Sequence, residues 1–305
     1  MAEARLLAKI SRRSRANLLL LLVATVWGSA FVAQRVAAQS MNPFFFNGVR
    51  FLFGAAILAP MANSPWKGLS RSMMKGIALA GGLLFGASAL QQIGIRYTTA
   101  GNAGFITGLY VVLVPVILLV FWRQRSSWLV WGAVLLAVIG MFLLSTGGIA
   151  LRLASGDSLE FAGAFLWALH VIVIGLLVRS IPVFTLAAGQ YLVCGVFNLV
   201  VAGFTGAMGF PAEVITWWPV VYTGVLSIGL GYTLQAVAQK DASPVDTSIL
   251  LSLEAVFAAF FGWILLGERL TLVQLAGCGL MLAGIVLSQL APGKEARDAK
   301  IFIHE

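Results

Sequence analysis

The chain has 305 residues, of which 60% are hydrophobic and 10% charged, with a mean hydropathy of +0.96. Soluble chains carry roughly a quarter charged residues, so this composition excludes a soluble domain and points to an integral membrane protein. The net charge of +9 comes from basic residues dispersed between apolar runs, which argues against a nucleic-acid surface.

Residues 1–16 carry Arg5, Lys9, Arg12, Arg13 and Arg15 and read as a basic segment with little that can fold. The apolar run 17–38 exceeds the length of a signal-peptide core and nine further runs follow, so it reads as an uncleaved first helix. The other helices are predicted at 43–60, 75–95, 99–122, 128–147, 159–179, 183–205, 216–238, 245–266 and 272–291. Turn signals separate them: Asn42-Pro43, Asn63-Ser64-Pro65, Gly147-Gly148 and Pro292-Gly293. Cys194 and Cys278 fall inside predicted helices and read as core fillers, with no disulfide, metal site or cofactor expected. Trp66, Trp122, Trp128 and Trp217-Trp218 fall at span boundaries, where tryptophan ordinarily anchors.

The chain reads as duplicated. Subtracting 144 aligns Gln235 with Gln91, Leu253 with Leu109, Glu254 with Tyr110 and Gly284 with Gly140. Further upstream a shift of 140 pairs Trp167 with Trp27 and Gln190 with Arg50. Five helices per copy is an odd number, so the second copy enters the membrane from the opposite face. Inverted repeats of this kind are a recurrent plan for secondary transporters, with the substrate site near the midplane. The expected fold is therefore all-α, with ten transmembrane helices as two inverted five-helix repeats around a central cavity. The first repeat is placed at 17–148, the linker at 149–156, the second repeat at 157–291 and a loose tail at 292–305.

Ten helices return both termini to one side. That side receives Arg5, Lys9, Arg12, Arg13, Arg15, Lys67, Arg71, Lys75, Arg123, Arg125, Arg179, Lys240, Lys294, Arg297 and Lys300. The other receives only Arg35, Arg96, Arg152 and Arg269, so the termini are expected in the cytoplasm and the linker in the periplasm.

Chemistry is sought among polar and aromatic residues inside spans. Ser243, Pro244 and Asp246 read as a helix start, which puts Glu254 roughly 12 Å into the bilayer at ~1.5 Å per residue. An acid at that depth either lines a cavity, binding an amine or carrying a proton, or is held by helix-to-helix hydrogen bonds. Arg50 shares a helix face with Asn47 and Gly54; it can fork onto a substrate carboxylate, pair with Glu254, or snorkel outward. Gln91 and Gln235 are a matched pair, for pocket lining or for helix adhesion. Trp27, Tyr110, Trp167 and Tyr232 lie well inside spans, where rings can form a pocket wall. His170 is a site residue, a proton carrier or a satisfied core histidine. Two small-residue faces, Gly101/Gly104/Gly108 and Ser248/Ser252/Ala255/Ala259, suit close helix packing, and Pro115 can kink the fourth helix. No phosphate-cradling Gly-Lys-Ser/Thr motif and no nucleophile with a base appear, so neither ATP-driven transport nor an enzyme is supported.

The motifs Trp27-Gly28-Ser29-Ala30-Phe31, Arg50-Phe51, Ala242-Ser243-Pro244 and Gly267-Glu268-Arg269-Leu270-Thr271 together resemble the drug/metabolite transporter superfamily, and more closely its EamA-type ten-helix members. The likeness covers about residues 17–291; Arg123-Gln124-Arg125 departs from it where the second half has Gly267-Glu268-Arg269. The resemblance implies an exporter of the bacterial inner membrane whose cavity is lined mainly by helices 1, 3, 4, 6, 8 and 9. Members similar to this chain, including those like the YddG exporters, move amino acids and related metabolites, some of them aromatic. The reading is alternating-access export of a small metabolite, an amino acid before others, by a monomer or weak dimer embedded in lipid. Coupling stays open between proton antiport and facilitated diffusion. The rivals are a multidrug or quaternary-amine exporter and a membrane sensor without flux.

Overall fold

The computed structural model describes residues 2–62, 68–98, 100–148, 155–206, 208–209, 214–267 and 269–291. Outside them lie the Asn63-Ser64-Pro65 and Pro292-Gly293 turns, Trp66, Lys67, Arg152, Glu268, most of the 149–156 linker and the tail after residue 291. Among these described residues, ten helices are long and apolar enough to cross a membrane. They are α1 (Ala2–Ser40), α2 (Pro43–Leu58), α3 (Arg71–Tyr97), α4 (Ala100–Gly108 and Tyr110–Trp122), α5 (Trp128–Thr146), α6 (Asp157–Leu177), α7 (Val183–Phe204), α8 (Trp218–Ala238), α9 (Pro244–Leu251 and Glu254–Leu266) and α10 (Leu272–Gln289).

The helix ends follow local chemistry. Asn42, Ser70, Ser127, Ser243 and Thr271 each cap a helix start with a side-chain oxygen, and Thr271 and Gln274 form a reciprocal capping box. Gly147 and Gly267 end α5 and α9 in the left-handed region, at φ 64 and 67; Arg123 ends α4 the same way at φ 54. The sequence expectation fails at the N-terminus. Residues 2–16 extend α1 rather than lying loose, because Ala, Leu, Glu, Lys and Arg are good helix formers and elongate a helix already nucleated in the span.

The helices pack by a two-fold rule. α2 packs on α7 and α5 on α10; α3 meets α6 as α1 meets α8; α1 meets α9 as α4 meets α6. Exchanging each helix with the one five places along leaves this pattern unchanged, as two related five-helix sets require. The α5–α10 pair shows why small residues are needed. A Cβ at Gly140 would stand 2.6 Å from the Gly277 carbonyl oxygen, and one at Gly284 2.9 Å from that of Ala133. The small faces of α4 and α9 meet likewise, a Cβ at Gly104 lying 4.0 Å from the Ala255 Cα.

Two spans are broken at matched positions. α4 is interrupted at Leu109 (φ −61, ψ −12) and α9 at Ser252 and Leu253, the latter at φ −61, ψ −13. Tight i→i+3 bonds bridge both breaks, from Leu109 N to Ile106 O and from Leu253 N to Leu250 O. Pro115 does not cause this. It lies within the second piece of α4, and α9 breaks alike with Ala259 at the matching place. The middle of α8, Thr223–Tyr232, is wound as a π-helix, which the sequence reading did not anticipate.

Candidate functional site

A cavity of about 30 Å³ lies between the two sets of helices. All nine residues singled out in the sequence line it: Trp27, Arg50, Gln91, Tyr110, Trp167, His170, Tyr232, Gln235 and Glu254. Phe31, Gln34, Thr107, Val171, Ser227 and Leu251 complete the wall, so α1, α3, α4, α6, α8 and α9 supply it, with Arg50 added from α2.

A base and an acid face this space without meeting. Arg50 is 2% exposed, so it does not snorkel; its Nε donates to Asn47 Oδ1 at 3.0 Å and its guanidinium lies over the Phe46 and Phe51 rings. It makes no ion pair with Glu254; the ion pair among the described residues is Arg13–Asp246, near where α1 and α9 begin. Glu254 is held instead by Tyr110, whose hydroxyl donates to Oε1 at 3.2 Å. These two residues are each other's counterparts under the 144-residue shift. A position that touches its own counterpart lies on the two-fold axis, so this bond marks the centre of the molecule, immediately after both helix breaks.

The wall between the two is aromatic. Tyr232 stacks on Trp167 (centroids 5.9 Å, interplanar 16°), packs on Trp27 at 4.5 Å, and meets His170 edge-on at 6.1 Å. The Trp27 Nε1 donates to the Ser227 carbonyl on the π-wound part of α8. Gln190 Oε1, an acceptor, lies 2.8 Å from His170 Nε2, so Nε2 carries the hydrogen and Nδ1 is a bare acceptor. His170 Nδ1 and the Trp167 indole N–H are both buried without a partner, which leaves one acceptor and one donor at the wall.

Different chemistry joins the helices at each end of the cavity. Towards the face opposite the N-terminus, Arg35 donates to the Ile95 and Thr98 carbonyls, and Thr98 Oγ1 donates to Asp157 Oδ1 at 2.6 Å. One turn deeper, Thr107 Oγ1 donates to Glu160 Oε2 at 3.1 Å and accepts from Gln91 Nε2 at 3.2 Å. Towards the N-terminal face the closure is neutral: Gln235 Nε2 donates to Gln239 Oε1, whose own Nε2 donates to the Val171 carbonyl, with Gly175 packed on Pro244. Sequence reasoning passed over Asp157, Glu160 and Gln239. Glu160 gave a usable signal, since it lies one turn into an apolar span. Among the described residues no three His, Cys, Asp or Glu side chains group as metal ligands.

Comparison with known proteins agrees with this architecture. The model of the EamA-like transporter family matches twice, over residues 14–146 and 154–290. An uncharacterized transporter of Archaeoglobus fulgidus is 33% identical over 288 residues, 92% of this chain and 87% of that protein. The threonine/homoserine exporter RhtA of Escherichia coli is 26% identical over 296 residues, 94% of this chain and 95% of that one. A crystal structure superposes with a TM-score of 0.75 at 17% identity, covering 91% of this chain and 97% of the other, a likeness of fold. With ten membrane-length helices and a family match over both halves, the chain belongs to the EamA-like transporter family.

Proposed function

We propose that the protein exports small zwitterionic metabolites, amino acids first among them, across the bacterial inner membrane by alternating access. The observation that carries this is a base and an acid in one cavity that make no ion pair with each other. Arg50 offers a guanidinium fork suited to a carboxylate, Glu254 a site for an ammonium group, and the Trp27–Tyr232–Trp167 wall a surface for the side chain. The family match over each half supports a conformational exchange between repeats 17–148 and 157–291, because repeats around a shared midplane site are a recurrent transporter plan. The basic residues on the N-terminal side support cytoplasmic termini and a periplasmic linker at 149–156. The threonine/homoserine exporter of Escherichia coli supports the substrate class.

The test is exchange of labelled threonine and tryptophan against unlabelled amino acids in proteoliposomes. Saturable exchange is expected, and Arg50→Gln, the side chain already present at Gln190, lowers it. A charged hydrogen bond is worth about 1.5–3 kcal/mol, so apparent affinity falls roughly 10- to 150-fold. No exchange across an amino-acid panel by folded protein would defeat the proposal. The same aromatic wall beside Glu254 also suits a quaternary amine. That reading predicts the reverse pattern: transport of a cationic dye survives Arg50→Gln and is lost in Glu254→Gln.

A further inference from the structure

We propose that Glu160 is the proton-binding site of the transport cycle, loaded from the face where Arg35, Thr98 and Asp157 close the cavity and unloaded into the cavity past Thr107. The inference rests on the transport reading above and names its coupling ion.

The observation is an orphaned carboxylate oxygen. Glu160 is fully buried, its Oε2 accepts one neutral hydrogen bond from Thr107, and its Oε1 is buried with no partner. A bare carboxylate held by a single hydroxyl inside a span is costly, whereas a carboxylic acid is not. The cations do not relieve it. Arg35 is engaged with the carbonyls of Ile95 and Thr98, and the Thr98 hydroxyl donates to Asp157. Arg96 and Tyr97, at the end of α3, are exposed. Arg71 and Lys75 lie at its far end, and Arg123 at the far end of α4. Tyr110 on α4 is committed to Glu254, His170 on α6 to Gln190, and Asp246 on α9 to Arg13.

A proton fits where a metal ion does not. Gly94 of α3 lies flat against this side chain: a Cβ there would stand 2.8 Å from Oε1 and 2.9 Å from Cγ. Sodium would need several further oxygen ligands, and this contact leaves no room for them. Placement then supplies the coupling. Glu160 stands between the Arg35–Thr98–Asp157 closure and Thr107, a cavity-lining residue, so opening either end brings water to the carboxyl from that side alone. On one side water delivers a proton to Oε1; on the other the carboxyl returns it to cavity water, and each proton bound is a proton released.

The test uses the full chain in proteoliposomes and labelled threonine as probe. In a one-for-one exchange, one unit of pH gradient drives up to about tenfold accumulation. Wild type is expected to accumulate threonine under the gradient and to exchange it without one. Glu160→Gln, shaped like the protonated acid, is expected to lose accumulation entirely while threonine exchange stays within about twofold, since the amide oxygen still accepts from the Thr107 hydroxyl. Retained accumulation in Glu160→Gln, or equal loss of both activities, overturns the proposal. Wild-type exchange that ignores the gradient overturns it while leaving the transport reading intact; absence of exchange overturns both. A readout without substrate is the infrared band of a protonated carboxyl in purified protein at neutral pH. Its loss in Glu160→Gln is expected, and an unchanged band overturns the assignment.

Discussion

The two ends of the cavity are built from corresponding helices and closed by unlike chemistry. Opposite the N-terminus, charges and hydroxyls from α1, α3 and α6 hold the closure: Arg35, Thr98 and Asp157, with Glu160 and Thr107 beneath. At the other end the matching positions carry Gly175 for Arg35, Ala242 for Thr98, Leu20 for Glu160 and Leu251 for Thr107, and the bonding falls to the amides of Gln235 and Gln239. Helix packing survived duplication because small residues at crossings are needed equally in both halves. The ends differ in that one carries ionisable groups and the other amides, on a shared helix packing.

The widest separation between the ends is expected from Asp157→Asn. It keeps the shape of the side chain but removes the charge that the Thr98 hydroxyl bonds, and a hydrogen bond to a charged group is worth about 1.5–3 kcal/mol. The closure should open roughly 10- to 150-fold more often. A cysteine at the cavity-lining position Gln34, with Cys194 and Cys278 replaced, reports it as faster labelling by an impermeant maleimide added opposite the N-terminus. Unchanged labelling would mean that the charged contact is ornamental and that the two ends do not differ in what holds them.

Gln239→Leu is the counterpart at the neutral end and should do less. It removes the bond from Gln235 at the end of α8 and the inter-helix bond to the Val171 carbonyl, and inter-helix hydrogen bonds within membranes average under about 1 kcal/mol each. Opening towards the N-terminal face should rise roughly fivefold, to the same extent in mildly acidic and mildly alkaline buffer. An effect that changed with pH would show that the amide closure senses charge after all, erasing the distinction.

How much of this was legible in the sequence follows the same division. The ten spans came from apolar length, and the nine cavity residues from asking which polar and aromatic side chains sit where lipid would punish them. The duplication also carried information about contact: counterparts Tyr110 and Glu254 were aligned by arithmetic, and they touch. The charged closure stayed hidden because its members lie near helix ends. There Arg35 reads as a loop charge, while Asp157 and Glu160 read as acids suiting a helix N-terminus. Only packing shows that α1, α3 and α4 bury them. The breaks in α4 and α9 and the π-wound segment of α8 were equally silent, since none is marked by proline.

The smallest expected effect concerns the rim, where corresponding helix ends again differ. α4 ends on Arg123 at φ 54, ψ 22 and α9 on Gly267 at φ 67, ψ 20, the same left-handed turn made by an arginine near the N-terminal face and a glycine near the other. For a residue with a side chain this conformation costs about 1–2 kcal/mol, against the roughly 0.5–1 kcal/mol of extra chain entropy that glycine surrenders. Arg123→Gly should therefore raise thermal stability in detergent by up to about 1 kcal/mol, and Gly267→Arg lower it by a similar amount. If Arg123→Gly stabilises the fold yet lets some molecules insert upside down, seen as protease cleavage of the N-terminus from both sides of the membrane, the arginine is kept for its charge. Its strain is then tolerated because Arg123 stands on the face where the basic residues gather. If stability falls instead, the guanidinium makes compensating contacts at that face, and the two rims differ in packing as well as in charge.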